Sequence, residues 1–232
     1  MKTAAVPLEQ LPPAFRRLAS LAPLDAADLK ALEAAAHAPR AAAAKRDFTA
    51  SLANATGPVL ILAGWAFRAC LLSDGQRQIT ELFLPGDIIS GQPADQRSSY
   101  SIGAITAVTW CSLEVASVAP GTGLNQALSA VELISERSLR RQIVRLGRLD
   151  ALDRLADWLL ELHVRLDSAG LCMGNAMPLP VTQEVIGDAL GLTSVHVNRT
   201  LSALRREGLI EVQGGRAMIL NADRCRAMVG LN

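Results

Sequence analysis

Residues 181–210 read VTQEVIGDALGLTSVHVNRTLSALRREGLI, and they hold two helical patterns joined by a short turn. In the first, Thr182 stands at a capping position, Glu184 follows in the first turn, and Val185, Ile186, Ala189 and Leu190 form the apolar face. Gly187 is small enough for another helix to approach closely. Gly191 permits the positive φ that ends a helix, and Leu192 is positioned to plug the core at the turn. A second helix starts at Thr193 or Ser194, with Val197, Leu201 and Leu204 spaced to face inward. Its other face carries Ser194, His196, Asn198, Arg199, Ser202, Arg205 and Arg206. Residues 194–206 thus contain three arginines and no acid. Two helices around a glycine turn, the second polar and basic on its outer face, are a helix-turn-helix signature.

The flanks extend this unit. Ile210, Val212, Met218 and Leu220 flank Gly214-Gly215, a two-residue hairpin turn, so a β wing follows, and Asn221 or Asp223 caps a last short helix. Upstream, DSAGLCMGNAMPLP (167–180) has the glycine and proline punctuation of a linker, so a compact unit begins near Pro180. From Leu124 to Leu166 there is no proline and only Gly147, while leucine, isoleucine and valine recur: one long helix or two consecutive ones. The stripe at Leu139, Ile143, Leu146 and Leu149 is one that the roll could cover or that could pair with its copy in a second chain, and for a helix this long pairing is the expectation.

The N-terminal half has a different texture. Between Pro12 and His37 apolar residues recur at helical intervals, with Asp25 placed to cap a second helix. From Gly57 to Ile89 apolar runs are cut at Ala63-Gly64, Ser73-Asp74-Gly75 and Pro85-Gly86-Asp87, the pattern of antiparallel strands with tight turns. Between Ser101 and Val118, the residues Ile102, Ala104, Thr106, Val108 and Trp110 are spaced to share one strand face. Closing residues 45–120 into a small roll leaves few free edges. The fold class is α+β: N-terminal helices and a jelly-roll-like β-roll (1–123), a long dimerisation helix (124–168) and a C-terminal winged helix-turn-helix (169–232).

With 23 basic and 22 acidic residues in 232, net charge implies no acidic partner, so electrostatic recognition rests on local clusters such as 194–206. Cys70, Cys111, Cys172 and Cys225 form no C-x-x-C pair, which argues against a disulfide framework, a zinc ribbon or a clustered iron-sulfur site. The N-terminus has no apolar signal core and no stretch is long enough to span a membrane, so the cytoplasm is the expected location. No Ser-His-Asp order, phosphate loop or metal-spaced cluster suggests an enzyme.

Residues 178–220 resemble the winged helix-turn-helix of the Crp/Fnr family of bacterial transcription regulators. SDGQRQITELFLPGDIISG (73–91) resembles that family's cyclic-nucleotide-binding-like β-roll, with Leu84-Pro85-Gly86-Asp87 as its recurrent turn. The resemblance implies a homodimer, paired through the long helix, that controls transcription at inverted-repeat operators on double-stranded DNA and touches RNA polymerase. It implies that Arg199 reads guanine from the major groove, with Ser194, Val195 and Asn198 as the other base-facing positions. Val195 stands where relatives often carry glutamate, so a thymine-methyl contact replaces one to cytosine. Thr182, Gln183, Thr193, His196, Thr200, Ser202 and Arg205 are the expected phosphate neighbours.

The candidate effector pocket falls on GQPADQRSS (91–99), at Gly91, Gln92, Arg97 and Ser98. Gln92 replaces the family's ribose-binding acid and Arg97 follows Gly91 too soon, so a cyclic nucleotide is not expected. Haem needs an axial histidine, and His37 is the only histidine of the sensory half; no cofactor is evident. Another small molecule, a redox change at Cys70 or Cys111, or control by abundance all stay open. The rival function is a small-molecule-binding module that uses its helix-turn-helix for protein interaction.

Overall fold

The computed structural model describes residues 7–53, 55, 57–90, 100–114 and 118–230. Pro13 opens α1 (Pro13–Ala19), and Asp25 caps α2 (Ala26–Ala36). The Asp25 carboxylate accepts from the Ala27 and Asp28 amides at 2.8 Å while Asp28 reaches back to the Asp25 amide at 3.1 Å, a reciprocal cap.

Seven strands build the roll: β1 (Arg40–Ala42), β2 (Val59–Ala63), β3 (Ala66–Leu71), β4 (Arg77–Phe83), β5 (Ile88–Ile89), β6 (Tyr100–Ala104) and β7 (Val108–Ser112), with α3 (Thr49–Leu52) between the first two. One sheet has the order β1-β7-β2-β5 and the other β4-β3-β6, all pairs antiparallel. In β2, Val59 and Ile61 point between the sheets toward Phe48, Phe83 and Trp110. Leu60 points the opposite way, into a cluster with Phe15, Leu18 and Leu124 from the covering helices. Burial on both faces explains why the run VLIL is continuously apolar instead of alternating. Ile102, Ala104, Thr106, Val108 and Trp110 do not share one strand: the chain turns at residues 105–107, so β6 and β7 lie in different sheets.

The helical stretch after the roll is broken. α4 (Gly123–Arg148) ends where Leu149 turns extended, and Asp150 caps α5 (Ala151–Ser168) by accepting from the Leu152 amide at 2.9 Å and the Asp153 amide at 3.0 Å. The stretch 124–168, read as one long helix or two consecutive ones and assigned as a whole to dimerisation, is two helices with separate duties. A buried ion network holds them together. Arg145, 2% exposed, donates from Nε and Nη2 to Asp157 at 2.8 and 2.6 Å and from Nη2 to Glu161 at 2.7 Å, and Arg141 adds a bidentate contact to the same aspartate. The anticipated seam splits as well: Ile143 is 72% exposed, whereas Leu149 packs against the C-terminal core.

That core collects Leu155, Trp158, Leu159 and Leu162 of α5 with the remaining elements: β8 (Ala176–Pro178), α6 (Gln183–Leu190), α7 (Ser194–Arg206), β9 (Ile210–Gln213), β10 (Arg216–Ile219) and α8 (Ala222–Val229). Residues 167–180 are not a linker. β8 pairs with β10 in a sheet of order β8-β10-β9, and Met177 is fully buried there. Phe67 and Ile79 on the outer face of β3 and β4, with Trp65 just before β3, join the same apolar cluster, so the roll and the C-terminal unit share a packed boundary. Each large side chain fully buried in such a cluster contributes about 1.5–3 kcal/mol.

Candidate nucleic-acid interface

Two capped helix starts define the interface. Thr182 Oγ accepts from the Val185 amide and Thr193 Oγ from the His196 amide, both at 3.2 Å, fixing the first turns of α6 and α7. Each hydroxyl keeps its own proton free to donate, and both threonines are exposed. Between the helices, Gly191 adopts φ +65°, and its amide together with that of Leu192 bonds to the Gly187 carbonyl. A Cβ on Gly187 would collide with the Leu192 carbonyl oxygen, so it is the turn's own backbone, not another helix, that requires glycine there.

The apolar side of α7, Val197, Leu201 and Leu204, is buried, which turns Ser194, Val195, Asn198 and Arg199 outward on one shared face. Val195 is 61% exposed, an apolar patch at the start of a polar face. Arg199 and Arg206 have no carboxylate within ion-pair distance among the described residues, so their charge is open to an outside partner. His196 and Gln183 are exposed and Ser202 is half-buried. Arg205 is exposed but donates from Nη2 to the Val212 carbonyl at 3.0 Å, tying α7 to the wing.

Thr200 departs from expectation. It is 7% exposed and its hydroxyl donates to the His196 carbonyl at 2.8 Å, so it is a packing residue and does not face the phosphates. The wing is a tight hairpin, Gly214 and Gly215 both having positive φ, with Gln213 and Arg216 exposed beside the tip. Asn221 is the residue that caps α8, accepting from the Arg224 amide at 2.9 Å.

Sequence reasoning missed what holds α6 from behind. Its last carbonyls are met in turn by Gln78 at Asp188 (2.7 Å), Gln142 at Ala189 (2.5 Å) and Arg154 at Leu190 (3.1 Å), from β4, α4 and α5. Arg77 also pairs with the Asp188 carboxylate at 2.5 Å. These donors satisfy carbonyls that a helix C-terminus leaves open. No short-range pattern marks partners that lie between 36 and 111 residues apart.

The candidate effector residues Gly91, Gln92, Arg97 and Ser98 lie outside the described residues. His37 is exposed at the C-terminal end of α2. Burial pushes the Cys111 thiol up to about 11. At neutral pH only about one molecule in ten thousand carries that thiolate, a poor state for a redox signal.

A roll, a helical hairpin and a winged helix-turn-helix with an exposed basic second helix define a two-part protein that sets one helix against nucleic acid. Comparisons with known proteins give the particular family. Residues 153–228 match the Crp-like helix-turn-helix domain, a match that begins in the first turn of α5, where packing joins that helix to the C-terminal core. The nitrogen fixation regulation protein FixK of Bradyrhizobium diazoefficiens is 31% identical over 226 residues, covering 93% of this chain and 91% of that one. The transcriptional activator protein FnrL of Cereibacter sphaeroides is 32% identical over 186 residues, covering 76% and 70%. The structure of FixK2 from Bradyrhizobium japonicum superposes with a TM-score of 0.66 at 25% identity, over 82% of this chain and 96% of that one. The chain belongs to the Crp/Fnr family of transcription regulators and is a DNA-binding regulator of that type. Among the described residues no helix is long and apolar enough to cross a membrane.

Proposed function

We propose that the protein acts as a homodimer whose two α7 helices enter successive major grooves of an inverted-repeat operator. The observation that carries this is the outer face of α7, where Arg199, unpaired among the described residues, lies beside Asn198, Ser194 and Val195 while the opposite face is locked into the core. Arg199 would take guanine O6 and N7 through its planar fork, Asn198 adenine, and the exposed Val195 a thymine methyl. Thr182, Gln183, Thr193, His196, Ser202 and Arg205 would meet the sugar-phosphate backbone, which fixes register without reading sequence. α4 supplies the dimer surface: Leu133, 66% exposed, and Ile143 lie along its outward side, where a second copy would cover them. RNA polymerase is the further macromolecular partner of this reading.

Enrichment of bound sequences from a random DNA pool, with and without cell metabolites, tests it. The expected product is an inverted repeat with half-sites about 34 Å apart. Log affinity should fall with log salt at roughly 0.9 per phosphate neutralised. A shallow salt slope with no enriched sequence would instead favour a protein-interaction role for the helix-turn-helix. A monomer in sedimentation at micromolar concentration would remove the dimer.

A further inference from the structure

We propose that a cleft lined by arginines between α1, α4, α5 and α8 binds a small organic dianion with a short aliphatic segment. The cleft encloses about 460 Å³, and Arg17, Arg137, Arg141, Arg165 and Arg226 reach it from four helices. Its one acid, Glu161, is already engaged by Arg145 at 2.7 Å and Arg165 at 3.5 Å.

The arginines are not evenly satisfied. Arg141 pairs with Asp157, Arg165 with Asp87 at 2.5 Å and Arg226 with Asp223 at 2.7 Å. Arg137 has no carboxylate partner among the described residues. Arg17 is only 4% exposed, and among the described residues its side chain donates to Ser168 Oγ alone while its Nε and Nη2 have no acceptor, nor does Nε of Arg165. Burial and the nearby Arg165 both work against the Arg17 charge, with Asp87 opposing them, and its pKa is lowered. Counting Arg145 and the adjoining Arg68–Glu81 pair, seven guanidinium groups face the five carboxylates of Glu81, Asp87, Asp157, Glu161 and Asp223. Two positive charges are left over, which a dianion neutralises.

Ile134, Leu160 and Val164 form an apolar wall beside this charge, which favours a carbon chain over a bare inorganic ion. The guanidinium fork matches carboxylate and phosphate oxygens equally well, so the acid groups are of either kind. An occupant touching both Arg17 and Arg226 would join a helix that covers the roll to one that closes the winged unit. Any effect on operator affinity rests on the DNA-binding reading above; the binding itself does not.

Isothermal titration of the full chain at constant ionic strength, with glutarate, inorganic phosphate and octanoate as separate probes and no DNA present, tests the proposal. Glutarate should bind once per protomer. Arg137→Gln, at an exposed and unpaired position, should weaken that binding about tenfold, the loss of one charge-assisted contact. Val164→Glu should weaken it similarly through repulsion at the exposed rim, and both variants should melt as the parent does without ligand. Phosphate that competes with glutarate would support the site and point to phosphate-bearing metabolites. No saturable binding of glutarate or phosphate would overturn the proposal, as would binding indifferent to both variants or octanoate binding tighter than glutarate.

Discussion

On α7, Arg199 and Arg206 stand in solvent with no carboxylate beside them among the described residues; on α4, Arg145 is buried and divides its donors between Asp157 and Glu161. The side chain is the same and its surroundings decide its use. A buried guanidinium must have its partners within the fold, because desolvation without them costs several kcal/mol. An exposed one left unpaired costs the fold almost nothing and keeps its full bidentate geometry for a ligand. Arg141 and Arg145 therefore serve the architecture of the α4–α5 hairpin, whereas Arg199 and Arg206 of α7 are left open to an outside partner.

Removing the acid from the buried network breaks this comparison most strongly. Asp157→Ala leaves Arg141 and Arg145 without their shared acceptor, and its cost should be about 3–5 kcal/mol of stability. At roughly 2–4 °C per kcal/mol for a chain of this size, thermal unfolding should drop by about 6–20 °C. A melt within a degree of the parent would show that the pairs contribute nothing to the hairpin.

Arg199→Ala tests the other side. Stability should stay within about 0.5 kcal/mol, as for surface substitutions generally. Operator binding should weaken by about 1–3 kcal/mol, with discrimination relaxed at one base pair. Unchanged affinity and base preference in a gel shift would end the assignment of Arg199 as a base reader.

What could be read in the sequence divides along the same line. The helix-turn-helix was legible because its determinants are local: Thr182 and Thr193 cap, Gly191 turns, and Val197, Leu201 and Leu204 repeat within one helix. Its outer face followed by subtraction, except at Thr200, where a hydroxyl bonded to its own helix mimics an exposed polar residue. The helical hairpin was not legible. The break at Leu149-Asp150 lacks glycine and proline, and the pairing of Arg145 with Asp157 depends on that break. β8 was hidden for a related reason: Ala176-Met177-Pro178, within the run GNAMPLP, has the composition of a loop, and only β10, some forty residues on, makes it a strand. Nor does any local signal join Gln78 to α6, since that contact exists only once the roll and the winged unit have docked.

A smaller effect is expected at the start of α7. Thr193→Ala removes the acceptor of the His196 amide and should cost about 1 kcal/mol of stability, the usual loss for an N-cap. If Thr193 also donates to phosphate, DNA affinity should fall beyond what the stability change explains, with no change in base preference. Thr193→Ser, which keeps the oxygen, should restore both. Failure of serine to restore binding would make the methyl group, not the hydroxyl, the important part.

The smallest effect sharpens the comparison on α4 itself. Arg140 pairs with Glu136 at 2.6 Å one turn away, and both side chains are more than half exposed. Within a single chain such a pair contributes only about 0.3–0.5 kcal/mol, so Arg140→Gln should barely move the unfolding curve of a dilute sample. Arg140 lies on the same outward side of α4 as Leu133 and Ile143, so dimerisation would remove the pair from water and raise its importance. Measuring unfolding at two protein concentrations separates the cases. A loss that stays small at both leaves Arg140 in solvent; a loss that grows with concentration places it in the seam, among the arginines this fold uses for architecture.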